Sequence, residues 1–174
     1  MRILGIDPGI ARTGWGIIEI QNSDLRPELR SREFRIQNYG CVETSAKLEP
    51  SERLKQIYVK LTAIIKKYKP DVMAVEELFF NTNAKTAFIV GQARGVILLA
   101  ASQKNLPISI YTPLQVKIAV AGYGRAAKFQ MGQMIKTILR LNSIPKPDDV
   151  VDALAVALTH AFSQKMRLYD KAIR

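Results

Sequence analysis

Ile3-Leu4-Gly5-Ile6-Asp7-Pro8-Gly9 is an apolar run that ends on an acid and then turns. Val72-Met73-Ala74-Val75-Glu76-Glu77 repeats that pattern mid-chain. Asp148-Asp149-Val150-Val151-Asp152-Ala153-Leu154-Ala155-Val156-Ala157-Leu158 sets acids into an apolar stretch near the end. An isolated buried charge is expensive, so acids in three such segments need a reason. The chain is otherwise strongly basic, with 26 Lys and Arg against 15 Asp and Glu and a net charge of +11. Carboxylates gathered at one edge of a core, inside a cationic protein, point to divalent metal ions acting on a phosphate backbone. The two features together predict a metal-dependent nuclease.

Outward from the first segment, Arg2–Asp7 reads as a strand that is apolar on both faces, followed by the Pro8-Gly9 turn. Gly14–Ile20 and Phe34–Val42 read as the second and third strands of an antiparallel meander. Leu54, Ile57, Tyr58, Leu61, Ile64, Ile65 and Tyr68 follow helical spacing, with Ser51 as a candidate cap and Pro70 as the stop. Asp71–Glu76 is a short continuous apolar run, as in a buried strand. Thr82–Asn105 is helical, and its internal Gly91 and Gly95 predict close packing against a neighbour. Ile108–Tyr111 is the fifth strand. Thr112-Pro113 opens a helix that closes at Gly122-Tyr123-Gly124. Further helices run from Arg125–Lys128 to about Leu141, and from an Asp148 cap to about Lys165. Three strands, helix, strand, helix, strand, helices implies a mixed sheet with helices on its faces.

Composition bounds the rest. At 174 residues, 48% of them apolar, one globular domain spanning 1–174 is expected. No apolar run approaches the ~20 residues of a membrane span, and Met1-Arg2-Ile3-Leu4 enters a strand without signal-peptide character. Cys41 is the single cysteine, which excludes an internal disulfide and a thiolate metal site. These features predict a cytoplasmic protein whose first partner to consider is nucleic acid.

Asp7 and Glu76 each end a predicted strand, where ligands of open α/β sheets bind. Asp149 and Asp152 stand three apart on a helix and share one face. Oxygen donors of this kind suit Mg²⁺ or Mn²⁺. Each acid also has a plain structural explanation: Asp7 as a turn aspartate, Glu76 or Glu77 as a solvated strand end, Asp148 and Asp149 as first-turn acids facing the helix dipole. Strand alternation cannot choose between Glu76 and Glu77. The i, i+3 spacing with Asp152 favours Asp149 over Asp148. His160, eight residues beyond Asp152, reads as a helix-surface or hydrogen-bonded core histidine.

These segments resemble the RuvC family of Holliday-junction resolvases over nearly the whole chain. The resemblance is carried by Leu4-Gly5-Ile6-Asp7-Pro8-Gly9 with Thr13-Gly14 and Gly16, and by Ala74-Val75-Glu76-Glu77-Leu78-Phe79 with Asn83-Ala84. It continues through Gly91-Gln92-Ala93-Arg94-Gly95-Val96, Gln115-Val116-Lys117 and Gly122-Tyr123-Gly124-Arg125-Ala126-Ala127-Lys128. It ends with Asp149-Val150-Val151-Asp152-Ala153-Leu154-Ala155 and Thr159-His160. The resemblance implies a ribonuclease-H-like α/β fold, a five-stranded mixed sheet flanked by helices. It implies a homodimer that nicks two opposed strands of a four-way DNA junction with Mg²⁺, two ions per site, Mn²⁺ substituting. By position it makes Asp7, Glu76, Asp149 and Asp152 the catalytic and metal-binding acids, which selects Glu76 over Glu77. It places Phe79 against junction bases and Lys117 and Lys128 on DNA phosphates, and it implies cooperation with the RuvA and RuvB branch-migration proteins. The segment Gln21–Asn38 departs from the pattern by being longer and more charged. Two readings compete with a resolvase: a related nuclease acting on RNA or another nucleic acid, and a non-catalytic branched-DNA-binding protein. An actin-like ATPase ranks last, because the chain is too short for a two-domain clamp.

Overall fold

The computed structural model describes residues 1–22, 32–77 and 84–172. Five strands form one sheet: β1 (Arg2–Asp7), β2 (Arg12–Asn22), β3 (Arg32–Glu43), β4 (Val72–Glu76) and β5 (Ile108–Tyr111), in the order β3-β2-β1-β4-β5. β1, β2 and β3 are the expected antiparallel meander, and β4 and β5 join it in parallel. The helices are α1 (Pro50–Tyr68), α2 (Ala84–Ser102), α3 (Pro113–Ala121), α4 (Lys128–Ile138) and α5 (Asp148–Ala172).

β1 is central, and its alternation feeds two cores. Leu4 and Ile6 pack with Ile57, Leu61 and Ile65 of α1 and Ala93 and Ile97 of α2. Ile3 packs on the other face with Val150, Leu154 and Leu158 of α5. A strand covered on both sides carries apolar residues at consecutive positions, which is why the segment reads as a continuous run. Fully burying each such side chain stabilises by about 1.5–3 kcal/mol.

α3 begins as the sequence predicts. Thr112 accepts from the Gln115 amide, the Gln115 side chain accepts from the Thr112 amide, and Gly122 closes the helix in the left-handed region at φ 85°. α1 differs. Pro50 opens the helix and Glu49 precedes it without a side-chain cap, so Ser51 lies inside the first turn. Proline suits that position because its missing N–H would have no helical partner. Asp148 likewise is the first helical residue of α5, and the helix continues past Lys165 to Ala172. Neither glycine nor proline occurs between those residues to stop it. Part of the expected Gln21–Asn38 irregular segment is ladder: Asn22 pairs with Arg32 and Ile20 with Phe34. Phe34 and Ile36 turn to the α5 core, giving β3 its alternation. The remainder of that segment lies outside the described residues.

Within the described residues of this chain, close packing on glycine is found at positions other than Gly91 and Gly95. A Cβ at either would meet open space within this chain. A Cβ on Gly5 would instead strike the Ala153 carbonyl oxygen and lie 2.8 Å from Ala157 Cβ, one on Gly14 would strike the Asp149 carbonyl, and one on Gly16 would lie 2.5 Å from Leu154 Cδ2. Gly5 and Gly16 are also paired across β1 and β2. These glycines let α5 lie directly on the sheet. Gly5→Ala therefore forces the helix backbone to move, and it is expected to destabilise the protein by about 1–3 kcal/mol. Urea unfolding measures this, and a loss below about 0.5 kcal/mol would show that α5 does not seat as described.

Candidate active site

β1 and β4 run parallel with Ile6 opposite Val75, so Asp7 and Glu76 leave adjacent strands at the same edge. Gly14 stands across from Asp7 on β2, and its missing side chain admits the α5 backbone at Asp149. Asp152 follows one turn later. The structure thus brings Asp7, Glu76, Asp149 and Asp152 to one end of the sheet. Glu76 is half-buried whereas Glu77 is exposed, its amide paired with the Tyr111 carbonyl.

Burial and crowding push Asp7, Glu76 and Asp152 upward. Asp7 rises to about 8, chiefly through burial and then through the charges of Glu76, Asp152 and Asp149. Glu76 rises to about 7 through burial and Asp152, partly offset by Lys117 and Lys128. Asp152 is also raised, burial outweighing the opposing pull of Lys128.

Cations lean in from the rim. Lys128 Nζ lies 3.5 Å from Asp152 and 3.3 Å from Asp148. Burial lowers the affinity of Lys128 for its proton, but Asp152 and Asp148 outweigh it and raise its pKa. Arg12 reaches within 3.9 Å of Asp149 and 3.7 Å of Glu43. A cavity of about 200 Å³ is lined by Glu76, Asp152, Lys117 and Lys128 together with α3 and α4.

Residues 3–160 match the model of the family described as crossover junction endodeoxyribonuclease RuvC. The chain belongs to the RuvC family. It is 54% identical over 171 residues to the RuvC of Caldicellulosiruptor saccharolyticus, covering 98% of each. It is 55% identical over 166 residues to that of Halothermothrix orenii, covering 95% of each. The solved RuvC of Thermus thermophilus in complex with Holliday junction substrate superposes at a TM-score of 0.86 with 37% identity, over 95% of this chain and 96% of that one. The yeast mitochondrial Holliday junction resolvase Ydc2, 15% identical at a TM-score of 0.64, shares the fold over 99% of this chain and 86% of its own. The sheet and its flanking helices are the ribonuclease-H-like fold expected from the sequence.

Nucleases of the RuvC family are metal-dependent. The donor set here fits a hard divalent cation in chemistry, being oxygen-only and mutually repelling. Among the described residues no three of these side chains close on one point as a finished cage. Lys128 and Arg12 hold Asp152 and Asp149 as counter-ions instead.

Phe79 lies outside the described residues. His160 is buried, with Nδ1 2.9 Å from the Tyr111 hydroxyl, which is the core role expected. Sequence reasoning missed Arg12. Its signal was the tight β1–β2 connection, which carries the residues just after Pro8-Gly9 back beside Asp7.

The raised acids carry a stability signature. Their native pKa values exceed those of the unfolded chain, so the native state binds these protons more tightly. Their contribution is fully present below about pH 4 and is lost as pH rises through about 7 to 8. Metal-free protein is expected to weaken over that window. Asp7→Asn is expected to flatten the slope and to stabilise by about 1–3 kcal/mol near pH 9, read by urea unfolding in chelator. A variant no more stable than its parent there would refute the crowding.

Proposed function

We propose that this protein is a Holliday-junction resolvase, a homodimeric structure-specific endonuclease. It nicks two opposed strands of four-way DNA junctions by phosphodiester hydrolysis during recombination and repair. The observation that carries this reading is the convergence of Asp7, Glu76, Asp149 and Asp152 at one sheet edge in a member of the RuvC family. The four carboxylates would hold two Mg²⁺ ions, or Mn²⁺ in their place, which supply an activated water and charge stabilisation of the leaving oxygen. Asp7 and Glu76 come from rigid strands, and Asp149 and Asp152 from a helix seated on those strands. The reacting phosphate is therefore positioned against an immobile frame.

Lys117 and Lys128 are the proposed phosphate contacts, both lining the acid cavity. Lys128 would exchange Asp148 and Asp152 for a DNA phosphate when metal takes over their charge. Phe79 is the proposed base-stacking residue. Residues 1–174 act as one nuclease domain, cytoplasmic and cooperating with RuvA and RuvB. No helix among the described residues is long and apolar enough to cross a membrane.

A second copy of the chain suits the apolar face around α2. Phe88 and Leu99 are 69% and 51% exposed there, and Gly95 lies between them on the same stripe with open space above it. Ile108 and Ile110 of edge strand β5 are exposed on the sheet face that packs α1 and α2, since their partners Met73 and Val75 belong to that core. Apolar area of this kind marks an interface. Leu99→Glu is expected to convert a dimer at micromolar concentration into monomer in sedimentation, and a monomeric parent would refute the dimer.

Cleavage of a four-way junction, a linear duplex and a DNA–RNA hybrid tests the activity. Selective junction cutting is expected, and cutting of the hybrid with the junction left intact would favour a different nuclease. Asp7→Asn is expected to lower cleavage by at least about 10²–10³-fold while junction binding persists. Undiminished cutting by that variant would place the chemistry elsewhere.

A further inference from the structure

A second cavity, of about 360 Å³, adjoins the acid edge. Phe129 of α4, Ile144 and Pro145 of the α4–α5 connection, and Val151 of α5 give it apolar walls. Gly132 keeps it open on the helix side, since a Cβ there would stand 3.1 Å from Ile144 Cγ2. Lys128, Lys146 and Asp148 supply its charge.

Three observations point to its occupant. First, Lys128 lines both this groove and the acid cavity, and its Nζ bridges Asp148 and Asp152. A DNA strand whose phosphate lies at the acids therefore carries its neighbouring nucleotide to the groove. Second, Phe129 is 69% exposed. Exposing a large ring beside a cleft gains nothing for the fold and offers a face on which a base can stack. Third, the walls are apolar and two lysines flank them. That is the complement of a nucleotide, an anion joined to a flat ring. The volume lies near the low end of small-ligand pockets, roughly 300–1,000 Å³, so it suits one base rather than a pair.

We propose that this groove receives one unstacked base of the cut strand, from a nucleotide flanking the scissile phosphate. Phe129 holds that base and so positions the strand for hydrolysis. The four-way junction makes this possible, because unstacking is least costly where pairing is already disturbed. The proposal rests on the resolvase reading above, and it adds a base-contacting residue, Phe129, that is separate from the acids and from Phe79.

Junctions carrying 2-aminopurine at either nucleotide flanking the cut site, bound in Ca²⁺ to hold off hydrolysis, test the contact directly. A fluorescence change is expected at one of the two positions with the parent protein, and its loss is expected with Phe129→Ala at matched occupancy. In Mg²⁺, an abasic nucleotide at that position is expected to slow the parent about tenfold, with Phe129→Ala equally slow on the intact junction and indifferent to the lesion. Equal fluorescence changes in both proteins, or equal slowing of both by the lesion, would overturn the groove. A chain that gives the Phe129-dependent signal yet cuts no junction would sink the resolvase reading alone.

Discussion

Everything at the acid edge depends on how closely α5 approaches β1 and β2. Gly5, Gly14 and Gly16 remove the side chains that would hold the helix off, and Ala153 and Ala157 present small faces in return. The Asp149 carbonyl occupies space that a Cβ on Gly14 would fill. Without that contact, Asp149 and Asp152 would stand a side chain's length away from Asp7. Packing interiors are dense and their elements shift as units, so a small change at a strand glycine is felt at the acids.

The same closeness stores electrostatic tension. Burial raises Asp7 and Glu76 to about 8 and 7, and their neighbours' charges add to it. Lys128 relieves part of this from the rim, and Lys117 does so at Glu76. A site built this way disfavours its own ionised state and favours the binding of cations. The basic surface that draws in a phosphate backbone also supplies the counter-ions that keep the acids in place. Lys128 belongs to both systems, and it lines both the acid cavity and the groove beside α4.

Much of this was legible along the chain. Leu4 and Ile6 alternate with Ile3 and Gly5 to serve two cores, and that double burial shows in sequence as an apolar run ending at Asp7. The Thr112 cap and the Gly122 stop are local chemistry and were readable as such. The caps at Ser51 and Asp148 were misplaced by one or two residues because several neighbouring residues can begin a helix, and only the backbone path decides between them. Gly91 and Gly95 were read as close packing against a neighbour, and within the described residues nothing stands against either. Sequence shows that a glycine is present and not what stands opposite it.

By itself the sequence determined which residue types were available: acids at the ends of apolar segments, an excess of base, and the periodicities of strands and helices. Those properties are local, because side-chain direction follows the backbone period within each element. Strand alternation left Glu76 and Glu77 equal, the family resemblance selected Glu76, and the structure turns Glu76 inward beside Asp7. Tertiary structure alone decided that Arg12 meets Asp149 and that Lys128 spans Asp148 and Asp152. Those relations join residues far apart in the chain, and their distances are set by strand register and by the seating of α5. Neither can be read from one segment, since each depends on two elements meeting.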